Sequence, residues 1–110
     1  PEPMVSSKEK VVRRRCPPLP KEVQGSGGTL TIELSDKPGD ESDNMGHFDP
    51  STRHIQVPKS LRGDQRWMVF FHELTHAALW DSGAHNAVPG AAEEMVCDAI
   101  ATARLRERFG

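Results

Sequence analysis

The chain has 110 residues, 35% of them hydrophobic and 27% charged, and its formal net charge is −2 at pH 7. This length supports one small domain, and the slightly acidic balance argues against a domain built chiefly to bind nucleic acid. Two cysteines are too few for a disulfide scaffold, so both are expected to be separate reduced thiols. Every apolar run is too short to cross a bilayer and no signal-peptide pattern appears, so we expect a cytoplasmic protein that does not contact membranes.

The first part of the chain, residues 1–28, is rich in Pro, Gly, Ser and charge and is predicted to be a flexible arm. The domain proper is therefore expected at residues 29–110. Residues 8–15 form a basic run, for which contact with nucleic acid or an acidic partner is one interpretation. A solvated arm is the favoured interpretation, because the chain as a whole is acidic.

The clearest strand is predicted at residues 29–34, where apolar and polar residues alternate strictly. This alternation points Leu30, Ile32 and Leu34 inward. The acidic, turn-rich residues 35–44 that follow are predicted to form an exposed loop.

A hairpin is predicted next, with strands at residues 45–48 and 53–57. The residues between them, Asp49 to Thr52, are of the kinds that tight turns prefer. Ile55 and Val57 are expected to face the core. The prediction is thus a sheet of about three strands.

Two helices are predicted to complete the domain. Residues 66–80 hold no Gly or Pro and repeat apolar residues at helical spacing, and residues 91–105 carry acids in their first turn and arginine toward their end. Gly83 and the Pro89-Gly90 pair break the pattern between them, so the helices should be antiparallel. The expected fold is α+β, a small sheet packed on two helices.

The first helix contains the sequence His72-Glu73-Leu74-Thr75-His76. Residues four apart lie on the same side of a helix, so His72 and His76 can direct two imidazole nitrogens at one metal ion. Glu73 lies one residue further round, where its carboxylate can reach a water molecule at the ion. This spacing is typical of zinc metallopeptidases.

A catalytic zinc site usually takes three protein ligands, so a third is expected on the second helix. In an antiparallel pair Glu94 enters near the level of His76 and is predicted as that ligand, with Glu93 as the alternative. Asp98, one turn beyond Glu94, is predicted to accept a hydrogen bond from a ligand histidine and so to orient its ring.

The pattern His72-Glu73-x-x-His76 followed by Glu94-x-x-x-Asp98 resembles the gluzincin arrangement of zinc peptidases. More narrowly, residues 94–101 resemble the Glu-x-x-Ala-Asn-x-Phe-Ala stretch of the ImmA/IrrE-like metallopeptidases, with Cys97, Asp98 and Ile100 at the variant positions. Short zincin-like proteins of phages and prophages show a similar likeness over roughly residues 29–108. The resemblance implies a zincin-like fold, a bound Zn²⁺ and hydrolysis of peptide bonds.

The predicted function is that of a zinc metallopeptidase with Glu73 as general base, acting as a monomer on a protein or peptide. The chain has no Tyr to stabilise the oxyanion, and His85 is the first choice for that donor, followed by His54 and His47. Two alternatives are a zinc-bearing protein-binding module with weak catalysis and a nucleic-acid-associated protein that uses the basic arm.

Overall fold

The computed structural model of the protein describes residues 16–36 and 46–109. The basic run at 8–15 and most of the predicted acidic loop lie outside these residues. In chain order the elements are β1 (Glu22–Gly25), β2 (Gly28–Ser35), β3 (His47–Asp49), β4 (His54–Pro58), helix α1 (Gly63–Ser82), a 3-10 turn (Ala84–Asn86) and helix α2 (Gly90–Phe109). The α+β class is confirmed, but the described part of the sheet has four strands in the order β1-β2-β4-β3, where about three were predicted.

The additional strand is β1, which pairs antiparallel with β2 and places Val23 opposite Leu30. It is only four residues long and lies in a segment whose Pro, Gly and Ser content indicated an arm. The domain boundary predicted at residue 28 therefore falls inside this hairpin. The preceding chain also contacts the domain, because the Trp67 indole Nε1 donates a hydrogen bond to the Pro17 carbonyl at 2.7 Å.

The sheet is mixed, since β2 runs parallel to β4 and β3 runs antiparallel to it. Ile55 and Val57 of β4 are fully buried, as expected, and Leu30 of β2 is 1% exposed. Leu34, predicted to point inward, is 36% exposed. Alternation along a strand identifies its faces, but the extent to which a helix covers one face depends on residues elsewhere in the chain.

Helix α1 packs its aromatic residues into the core, where the rings of Trp67 and Phe70 meet edge to face with centroids 5.5 Å apart. Helix α2 lies antiparallel to it, so that Phe109 near its end contacts Trp67 near the start of α1, with ring centroids 5.0 Å apart. Only Cys97 and Ala101 of α2 are buried. Within the described ranges, neither helix has the length and apolar character needed to span a membrane.

An ion pair joins the sheet to the end of α1. Arg53 directs Nη1 and Nη2 at the two carboxylate oxygens of Asp81, at 2.8 and 2.9 Å. The same carboxylate accepts a hydrogen bond from the backbone N–H of Gly27, in the β1–β2 turn. Arg53 adopts a left-handed backbone conformation with φ 55°. One side-chain pair thus connects the two strand turns and the helix end.

Candidate metal centre

Two histidines of α1 present their outer ring nitrogens to one point. The Nε2 atoms of His72 and His76 lie 3.2 Å apart, and the two side chains are 12% and 15% exposed. Their spacing along an uninterrupted helix produces this convergence, as the sequence predicted.

The carboxylate of Glu94, on α2, lies close to both of these nitrogen atoms. Its Oε1 lies 2.9 Å from His72 Nε2 and its Oε2 lies 3.2 Å from His76 Nε2. A tetrahedral zinc ion with bonds of about 2.0–2.1 Å holds its ligand atoms about 3.3 Å apart. The three side chains therefore fit a small divalent cation without a large movement, and the ligand role of Glu94 stays a prediction.

Each histidine also has a carboxylate beside its Nδ1 atom, the ring nitrogen that faces away from Glu94. Asp98 Oδ1 lies 2.7 Å from His72 Nδ1, the position predicted for it. Glu93 Oε2 lies 2.6 Å from His76 Nδ1, on the side of the ring away from Glu94. The sequence predicts Glu93 only as an alternative ligand, whereas the structure places its carboxylate where a group that orients the ring would lie.

Cys97 is a further ligand-type residue at the same place. His72, His76 and Cys97 form a group that can hold a metal ion, with ligand atoms within 4.8 Å of one another. The thiol is fully buried, and burial, followed by the nearby Glu93 and Glu94, raises its pKa to about 12. No metal role is predicted for Cys97 from the sequence, although it lies three residues after Glu94 and therefore on the same side of α2.

Glu73 lies beside the histidines in an enclosed position. Its residue surface is only 5% exposed, and burial raises the pKa of its carboxyl group to about 7, with the adjacent His72 acting against the rise and Glu94 adding to it. The backbone just before β3 touches this side chain, since a Cβ on Gly46 would meet Glu73 Cγ at 2.8 Å and Val69 Cγ1 at 2.6 Å. The absence of a side chain at Gly46 therefore provides the space that the Glu73 side chain occupies.

A cavity of about 400 Å³ opens next to these residues, between β3 and the helices. Glu73, His76 and Glu94 line it together with His85. The imidazole of His85 stacks on Trp80 with ring centroids 4.3 Å apart, and its Nδ1 is buried without a hydrogen-bond partner among the described residues. His85 is thus in the same cavity as the predicted general base, as a candidate donor must be.

The two remaining candidate donors differ in position. His47 lines the cavity. His54, on β4, is not among the residues that line it, and its ring contacts β2 instead, with Nε2 2.7 Å from Glu33 and Nδ1 2.6 Å from the Thr31 hydroxyl.

No protein-family model, curated protein or solved structure matches the chain.

Proposed function

We propose that the protein is a zinc-dependent metallopeptidase, with His72, His76 and Glu94 as metal ligands. The observation that carries the proposal is the convergence of two imidazole nitrogens and one carboxylate, all within 3.2 Å of one another, beside the buried Glu73. A pair of carboxylates behind the histidines supports it, since ligand histidines usually donate their second N–H to such a group.

Zinc bound there would act as a Lewis acid that polarises the scissile carbonyl and makes water nucleophilic near neutral pH. Glu73 accepts the proton of the attacking water and transfers it to the leaving amine, so that the carboxylate is regenerated. His85, which lines the same cavity, donates a hydrogen bond to the oxyanion. Asp98 and Glu93 hold the two ligand rings in position.

The edge of the sheet provides a place for the substrate backbone. β3 is an outer strand of the sheet that the described residues form, and His47 and Phe48 on it line the cavity beside Glu73. An extended peptide that adds to this edge would form main-chain hydrogen bonds and lie along the proposed zinc position. This favours an unfolded or extended segment of a protein as the substrate.

The test is Glu73→Gln, compared with wild type and with Glu107→Gln, an exposed glutamate on α2. Each purified protein is analysed for metal content and incubated with a mixture of unstructured peptides, and cleavage is followed by mass spectrometry. We expect about one zinc per chain in all three proteins and cleavage lost only in Glu73→Gln, by a factor of at least roughly 100. Cleavage that survives in Glu73→Gln would contradict the proposal.

Cys97 supports a second candidate function, a zinc-bearing binding module. If the thiol closed the site as a fourth ligand, with the two histidines and Glu94, the metal would be structural, since closed four-ligand zinc sites lack an open position for water. Glu94 is favoured over Cys97 as third ligand because its oxygens already lie at ligand spacing.

Parallel variants separate these functions. With Glu94 as the third ligand, Glu94→Gln lowers zinc affinity strongly and Cys97→Ala leaves zinc content and cleavage intact. With a closed site, Cys97→Ala releases the metal and no variant cleaves peptides.

A further inference from the structure

A cavity of about 620 Å³ lies between α1, strand β1 and the second half of α2. We call it the aromatic cavity, because Trp67, Phe70 and Phe71 of α1 line it. It shares no lining residue with the cavity beside Glu73. The ligand histidines lie on a different side of α1 from Trp67 and Phe71, as their positions along the helix require. The two cavities are therefore separate sites.

The chain before β1 contributes a second wall of the aromatic cavity. Pro17, Pro18 and Pro20 line it, followed by Val23 of β1. The hydrogen bond from the Trp67 indole to the Pro17 carbonyl joins this segment to α1. Small-molecule sites are concave, mostly apolar and roughly 300–1,000 Å³ in volume. The size and the lining of the aromatic cavity thus suit a small ligand.

The end of α2 adds two positive charges to this lining. Arg104 and Arg108 lie one turn apart, and both line the cavity. The guanidinium carbon of Arg104 is 5.1 Å from the centroid of the Phe71 ring, and that of Arg108 is 5.6 Å from the centroid of the Trp67 ring. Within residues 16–36 and 46–109, neither guanidinium forms an ion pair with a carboxylate. The described lining therefore leaves the hydrogen-bond donors of both arginines available to a ligand.

The acid that lines the cavity does not balance these charges. Asp81 already accepts hydrogen bonds from Arg53 at 2.8 and 2.9 Å and from the Gly27 N–H. Its negative charge is compensated by Arg53, so the charges of Arg104 and Arg108 remain. An apolar cavity with two such cations complements an anion that has an apolar body.

We propose that the aromatic cavity binds a small organic carboxylate with an apolar body. The carboxylate lies between Arg104 and Arg108, since a planar guanidinium can donate two parallel hydrogen bonds to a carboxylate while it stacks on an aromatic ring. The apolar body packs on Val23, Leu74 and Pro18, which line the cavity and are partly exposed to solvent. The proposal does not depend on the proposed function, because none of these residues lines the cavity beside Glu73.

Three matched ligands test the proposal: naphthaleneacetate, its neutral amide, and acetate. Each is titrated into the isotope-labelled full chain, and the indole N–H signals of the two tryptophans are followed by NMR. Trp67 lines the aromatic cavity and Trp80 lines the cavity beside Glu73, so the two signals report on the two cavities separately. The variant Trp80→Phe assigns the signals.

We expect naphthaleneacetate to shift the Trp67 signal with a dissociation constant below roughly 1 mM. The amide, which keeps the apolar body and loses the charge, should bind roughly tenfold more weakly. Acetate, which keeps the charge and loses the body, should cause no saturable shift of the Trp67 signal.

Arginine variants test the contact with the carboxylate. Arg104→Gln and Arg108→Gln should each weaken the binding of naphthaleneacetate roughly threefold, and the double variant roughly tenfold. Arg106→Gln is the matched control, because it removes the same charge from the same helix but Arg106 is not among the lining residues. It should bind like the wild type. Circular dichroism confirms that each variant is folded.

Four results would overturn the proposal. They are a Trp67 signal that naphthaleneacetate leaves in place, a shift of the Trp80 signal alone, equal affinities for the acid and its amide, and an equal loss of affinity in Arg106→Gln and Arg104→Gln. A shift of the Trp80 signal alone would place the carboxylate in the cavity beside Glu73 instead.

Discussion

The carboxylate of Glu93 lies 2.6 Å from Nδ1 of His76, the ring nitrogen that faces away from Glu94. The same relation joins Asp98 to Nδ1 of His72 at 2.7 Å. Adjacent turns of α2 thus supply an orienting carboxylate for each histidine. An imidazole whose Nδ1–H is held in this way presents the lone pair of Nε2 to a metal ion.

We therefore expect Glu93→Gln and Asp98→Asn each to lower zinc affinity by roughly 10- to 100-fold without removing a ligand. Competition with a chromophoric chelator measures this affinity. Glu107→Gln, on the same helix, is the control and should bind zinc like the wild type. Unchanged zinc affinity in both variants would show that Glu93 and Asp98 do not orient the histidines for metal binding.

The burial of Glu73 predicts a stability cost that depends on pH. Its pKa is raised from 4.5 to about 7 in the folded protein, so the folded state holds this proton more tightly than the unfolded state does. The free energy of unfolding of the metal-free protein should fall as the pH rises from 4.5 to 7, by about 3 kcal/mol from this group. Below pH 4.5 the group is protonated in both states and contributes no such cost.

Glu73→Gln should accordingly stabilise the metal-free protein at pH 8 and change its stability little at pH 4. Urea unfolding in the presence of a chelator, at both pH values, measures the difference. Equal stabilisation at the two pH values would rule out titration of Glu73 as the cause. A gain in stability with loss of cleavage is the trade-off expected of a catalytic group.

Gly46 provides a test of the position of Glu73. In Gly46→Ala the new Cβ would lie 2.8 Å from Glu73 Cγ and 2.6 Å from Val69 Cγ1, so one of these side chains must move. If Glu73 is the catalytic base, as proposed, we expect cleavage to fall by roughly tenfold or more with zinc content unchanged, because small displacements of such a group are costly. Gly90→Ala is the control, since a Cβ there meets nothing within 4 Å. Full activity in Gly46→Ala would show that β3 can move away without consequence.

The Arg53–Asp81 pair predicts sensitivity to acid. The Arg53 guanidinium, which donates two hydrogen bonds to the carboxylate, lowers the pKa of Asp81, and the Gly27 N–H adds to this. Stability from the pair is present above the unfolded pKa of Asp, about 3.9, and is lost as the pH falls through the lower folded value. Asp81→Asn should cost about 2–3 kcal/mol at pH 7, because it leaves a partly buried guanidinium without its charge partner.

Urea unfolding at pH 7 and at pH 2–3 measures this loss, and the variant and wild type should converge in acid. Asp36→Asn is the matched control. Asp36 and Lys59 form an exposed pair with N and O atoms 3.8 Å apart, and such pairs contribute little. A large effect of Asp36→Asn would show that the measurement reports general charge effects.

Much of the fold and of the site follows from local patterns. Helical spacing determines the convergence of His72 and His76, and strict alternation identifies β2 and the inward side of Ile55 and Val57. The antiparallel helix pair also follows from sequence, because Gly83 and Pro89 interrupt one long apolar pattern.

The features that were missed depend on contacts between distant parts of the chain. β1 has only four residues, too few for a recognisable strand pattern in the sequence, and it is identified as a strand by its pairing with β2. Asp81, the partner of Arg53, is 28 residues away in the sequence, and no local pattern around either residue predicts the pair. Glu93 and Glu94 are neighbours with the same chemistry, so their different places around His76 depend on the rotation of α2 against α1, which local sequence does not specify.

Helix α2 has one more consequence for the domain. Only Cys97 and Ala101 of this helix are buried, and Leu105 and Phe109 near its end are partly buried against the core. An ion bound by His72, His76 and Glu94 would link α2 to α1. Its removal should therefore allow α2 to unfold locally while the sheet stays folded. Amide hydrogen exchange would then accelerate along residues 90–109 on chelation, while β2 and β4 stay protected.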